Sequence, residues 1–66
     1  MDQKSQVKVL NAGFNIIRIQ DEPVPVIKIK TKEQQEWHNY GKFENKAIRN
    51  RCFKTLLDTM PRYIAD

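Results

Sequence analysis

Lys8, Phe14, Ile16, Arg18, Lys28 and Lys30 all occupy even-numbered positions. In extended chain, where successive side chains alternate between faces, even numbers mean one shared face. Cations around a short apolar strip suit a nucleic acid, because Lys and Arg neutralise phosphates while small apolar groups meet base edges or thymine methyls. The expectation is that Lys8, Arg18, Lys28 and Lys30 hold phosphates and that Phe14 or Ile16 reaches the bases. The same face supports two other readings. Lysine stems commonly lie over solvated sheet residues, and Trp37 or Tyr40 could fold back over Phe14 and Ile16. Alternatively Phe14, Ile16, Val26 and Trp37 form a dry patch rimmed by Lys, suited to a protein partner or a homodimer.

A second basic group, Lys42, Lys46 and Arg49 with Arg51 nearby, lies further along the chain. Arg49 sits inside the apolar arc of its helix, so it is read as a phosphate or partner contact, as a side chain snorkelling past the edge of the sheet, or as an ion pair with Asp21, Glu22 or Glu33. Other chemistry is sparse. The single His and single Cys, His38 and Cys52, cannot build a zinc site within one chain. Cys52 falls on an apolar helix face and reads as a packed thiol. Asp21 and Glu22 are adjacent in a turn and point apart, which does not suit paired acid and base roles. Glycine occurs only at Gly13 and Gly41, so no phosphate-cradling loop is available. No enzyme, cofactor, metal or small-molecule substrate is expected.

The elements that would position these residues follow from periodicity. Residues 1 to 5 read as a flexible terminus and 6 to 66 as a single small α+β domain. QVKVL alternates, NAG supplies turn residues, FNIIRIQ resumes a β-branched run, and VPVIKIK alternates again after Asp21-Glu22-Pro23. This predicts a three-stranded antiparallel meander with strand 14 to 20 in the centre, residue 10 facing 14 and residue 20 facing 24 across tight turns. Pro25 would place the third strand at an edge. Thr31-Lys32-Glu33-Gln34 matches a capping box and predicts a short helix ending near Gly41. Ile48, Cys52, Phe53, Leu56, Leu57 and Met60 then recur at helical spacing up to Pro61, predicting a longer helix over 44 to 60. One kinked helix over 32 to 59 is the alternative. The odd face, with Val7, Val9, Ile17, Ile19, Pro25, Ile27 and Ile29, is expected to take that helix and give a two-layer domain.

The order of three strands followed by a helix resembles, in topology across residues 6 to 60, the sheet-reading DNA-binding domains such as the arm-binding domains of tyrosine recombinases. No specific motif accompanies the likeness, so it bears on fold alone. Composition agrees with a small folded chain: 66 residues, 39% hydrophobic and 30% charged, with a formal net charge of +4. A domain of this size buries only about 60% of its unfolded surface, so its core is thin. The lone cysteine, the lack of a signal-peptide pattern and the absence of a long apolar run predict a cytoplasmic protein with no membrane partner.

Overall fold

The computed structural model describes residues 1–66. Its elements run α1 (Gln3–Asn11), β1 (Asn15–Gln20), β2 (Val26–Lys30), β3 (His38–Lys42), α2 (Lys46–Thr59) and β4 (Tyr63–Ala65). The strands form one mixed sheet in the order β3-β2-β1-β4. The β1–β2 and β2–β3 pairs are antiparallel, and β4 runs parallel to β1. The fold is therefore α+β, with a helix on each side of the sheet in place of the expected two layers.

The largest departure from the expected meander lies at its start. Residues 6 to 10 are helical, and so are residues 3 to 5, which had been read as loose. Asp2 is the N-cap, its carboxylate accepting from the Ser5 amide at 2.8 Å. At the other end Gly13, with φ +94°, stands just beyond the C-cap Ala12. Its amide donates to the Leu10 carbonyl and the Phe14 amide donates to the Val9 carbonyl, which together make a Schellman cap. The NAG segment thus ends a helix where a hairpin turn was expected. A left-handed residue here needs glycine, since a Cβ would raise the backbone energy by about 1–2 kcal/mol.

The β1–β2 hairpin forms as expected, with a register displaced by two residues: Gln20 pairs with Val26 and Ile16 with Lys30. A slip of two preserves the faces, because side-chain direction repeats every second residue. On the odd face Ile17, Ile27 and Leu56 form the core, packed round by Ile29, Phe43, Cys52, Phe53, Leu57 and Tyr63. The α2 helix docks there as predicted. Its N-cap is Asn45, whose side chain accepts from the Ile48 amide at 2.9 Å.

No helix follows Thr31. The Gln34 amide does donate to Thr31 Oγ1 at 3.1 Å, and the Thr31 amide donates back to the Gln34 carbonyl at 3.2 Å. That turn closes on itself and the chain proceeds to β3, so neither the short helix nor the kinked alternative exists. A short polar segment without an apolar stripe gains little from continuing as a helix. Pairing as β3 instead satisfies the ladder groups along β2. It also makes β2 an inner strand, with Pro25 just before its first residue rather than on an edge.

β4 takes the place beside β1 that the sequence reading gave to residues 6 to 10. The parallel pairing of Asn15, Ile16 and Ile17 with Tyr63, Ile64 and Ala65 requires a crossover, which α2 supplies. Tyr63 meets Tyr40, from the opposite edge strand, edge to face at a centroid distance of 6.4 Å. No helix is long and apolar enough to cross a membrane.

Candidate nucleic-acid interface

The even face carries Ile16, Arg18, Lys28 and Lys30, as expected, but α1 packs along β1 on that side. Leu10, Ile16 and Val26 are only 1%, 0% and 3% exposed. Ile16 therefore cannot reach a base, and the dry patch expected of Ile16 and Val26 is already filled. Phe14 is half-buried and occupies the position after Gly13 in the Schellman cap, where apolar side chains commonly pack back on the helix.

Lys8 is also displaced from the expected cluster. Gln6 and Leu10 are the buried residues of α1, and Lys8, between them in a helix of about 3.6 residues per turn, points away from the sheet. The second basic group separates as well. Arg49 is 2% exposed and lies against Asp21, with Nη1 2.6 Å from Oδ1. The same nitrogen donates to the Gln20 carbonyl at 3.0 Å, while Nε and Nη2 donate to the Asn50 side-chain oxygen. Lys46 approaches Asp21 at 3.6 Å. Of the readings of Arg49, the ion pair with Asp21 is the one the fold adopts. The Arg49 hydrogen bond is the chief reason that the Asp21 carboxyl is held below its ordinary value; desolvation opposes it, and the Lys46 charge adds to it.

Lys42 comes to the even face instead. It pairs with Val26 across β2–β3, while Asn39 pairs with Lys28. A register shift between Ile27 and Lys28 leaves Tyr40 as the extra residue of a bulge. Arg18, Lys28 and Asn39 consequently form a row across three neighbouring strands.

Trp37, from the loop before β3, completes the group. The Arg18 guanidinium carbon is 4.1 Å from its ring centroid and Lys30 Nζ is 4.9 Å away, both within cation–π range. Of the readings left open by the sequence, Trp37 does fold back, although it covers cations rather than Phe14 and Ile16. Arg18 and Lys30 are joined by a second route. Lys30 Nζ donates to Gln6 Oε1 at 2.8 Å, Gln6 Nε2 donates to Asp66 Oδ1 at 3.1 Å, and Asp66 Oδ2 lies 3.9 Å from Arg18. The circuit ties α1, β1, β2, the loop before β3 and the residue after β4.

Sequence reasoning placed Arg18, Lys28 and Lys30 together and brought Trp37 to their face, but missed Gln6, Asn39 and Asp66 and the contact of Trp37 with the cations. Gln6 and Leu10 at a four-residue interval were the available sign of a helical face. Asp66 gave none, because its place depends on a strand of three residues. The arrangement offers an aromatic ring, cations and an amide on a partly exposed surface, with Arg18 keeping 40% of its side chain exposed.

No protein-family model matches the chain, and neither the curated proteins nor the solved structures contain a match to it.

Proposed function

We propose that the protein is a small non-enzymatic domain that binds nucleic acid through the β2–β3 side of its even sheet face. The observation that carries this reading is the approach of Arg18 and Lys30 to Trp37, beside Lys28 and Lys42 on adjoining strands. Phosphates would be met by Lys28 and Lys42, for which no acidic partner lies within ion-pairing distance, and by Arg18 and Lys30 once drawn from Trp37. Base contacts fall to Trp37 and Asn39, replacing the roles first given to Phe14 and Ile16.

The rival reading, a protein-interaction or homodimerisation module, relied on a dry patch whose Ile16 and Val26 are buried within the chain itself. The charged face favours a polyanion. The test is binding of a labelled oligonucleotide across a salt series. Affinity should fall steeply with salt, and Lys28→Gln with Lys42→Gln should flatten the dependence by roughly one to two counterions, about one for each phosphate contact removed. Absence of binding at low salt, or an unchanged slope in the double variant, would rule the interface out.

A further inference from the structure

Resting on that reading, we infer that the ligand is single-stranded nucleic acid, bound by stacking of a base on Trp37 with the adjoining phosphates on Arg18, Lys28 and Lys30. Two features of the face select this class over a duplex.

The first is steric. A sheet reads duplex DNA by entering the major groove, about 12 Å wide, as a ribbon of roughly two strands. Here α1 stands on β1, and a helix with its side chains is about 10–12 Å across. Helix and neighbouring strands together exceed the groove, and α1 would strike its wall before β2 and β3 reached the base edges. A single strand needs no such depth and can follow the open β2–β3 strip.

The second is chemical. Trp37, the only tryptophan of the chain, has two cations within 4.9 Å of its ring centroid. Duplex bases are stacked on one another and offer such a ring no face, whereas an unpaired base does. Stacking on aromatic side chains beside backbone-neutralising cations is the general means of holding single strands. The Arg18–Lys28–Asn39 row lies beside the ring across the sheet, giving the adjoining nucleotide cations and an amide.

The sole tryptophan reports its own occupancy. The full chain is titrated with an oligothymidylate and an oligouridylate of ~12 nucleotides, within the site sizes usual for such surfaces, and with a duplex of equal length. Labelled-oligonucleotide anisotropy and Trp37 emission are followed together. The single strands should bind at least ~10-fold more tightly than the duplex and quench Trp37. Trp37→Ala should weaken single-strand binding by roughly 5- to 100-fold without changing the salt slope, and Trp37→Phe should retain most of the affinity. Circular dichroism of both variants establishes that the fold is intact, and the Phe variant serves if the Ala variant unfolds. Equal or tighter duplex binding, or single-strand binding that leaves Trp37 emission unchanged, overturns the single-strand assignment. The basic-face reading survives that outcome if the Lys28 and Lys42 variants still weaken binding. If neither ligand binds, both fail.

Discussion

Lys30 Nζ donates to Gln6 Oε1 at 2.8 Å, linking β2 to α1 across 24 positions of sequence. This bond decides what the even face can do, because it lies where α1 packs along β1 over Ile16 and leaves the β2–β3 side open. Gln6 is itself buried and also donates to Asp66, so both ends of its amide are used. Gln6→Ala should destabilise the protein by about 1–2 kcal/mol, as expected for a lost hydrogen bond to a charged group that retains some solvent. Leu10→Ala, at a fully buried position on the same helix face, should cost more, about 2–5 kcal/mol. Urea midpoints with unchanged slopes would measure both; equal stability of the Leu10 variant and the parent would mean that α1 does not close the face.

The opposite side of the sheet makes its own prediction. Ile17→Ala and Leu56→Ala should each lose about 2–5 kcal/mol, since both side chains belong to the odd-face core. Changes below about 0.5 kcal/mol at both sites, the scale of ordinary surface substitutions, would place the core elsewhere. Cys52 packs against the same cluster and should react with a thiol reagent more slowly in the native protein than in denaturant.

Gly13→Ala tests the Schellman cap. With φ at +94° and a Cβ that would come within 2.9 Å of the Arg62 guanidinium, the substitution should cost roughly 1–2 kcal/mol from backbone energy alone. Arg62 can move aside, being a flexible side-chain end. An increase in thermal stability, as an alanine normally gives in a helix interior, would show that residue 13 does not end α1.

Acid should weaken the fold through Asp21. Its folded pKa lies below the ordinary value of 3.8, chiefly because Arg49 hydrogen-bonds the ionised form. A depressed pKa means that the unfolded chain takes up its proton first as pH falls. The contribution is therefore complete above about pH 3.8 and disappears as pH drops through the lower, folded value. Asp2 acts in the same direction, its carboxylate being held by the Ser5 amide. Thermal melts of the parent and of Asp21→Asn should diverge most near neutral pH and converge in acid. Parallel curves over the whole range would remove Asp21 from the linkage.

Arg49 is among the largest fully buried side chains of the molecule, and its role is asymmetric with that of its partner. Asp21 keeps 51% of its side chain exposed, so losing Arg49 strands no buried charge. What is lost is packing, together with the donors to the Gln20 carbonyl and Asn50. Arg49→Ala should destabilise by about 2–4 kcal/mol, in the range of large core truncations. Arg49→Lys should recover only part, because an ammonium cannot reproduce the guanidinium's spread of donors. Full stability in the lysine variant would show that charge alone is required.

By itself the sequence determined the β1–β2 hairpin, the two faces of its strands and the α2 helix that covers the odd face. These depend on repeated side-chain periods over many residues, and even the two-residue register error left every inward side chain inward. The same alternation brought Arg18, Lys28 and Lys30 together. Residues 6 to 10 were different, because five residues can satisfy a strand period through Val7 and Val9 or a helix period through Gln6 and Leu10. The Asp2 cap and the left-handed Gly13 resolve that choice at the ends of the segment, and the exposed row of β1 gives the helix its reason to dock. β3 and β4 were decided by tertiary structure alone. Polar HNYGK and three-residue YIA have too little pattern to announce a strand, and each becomes one by pairing with ladder groups that β2 and β1 would otherwise leave open. Those pairings bring Trp37 and Asp66 to Arg18, since contacts between residues remote in sequence depend on strand order.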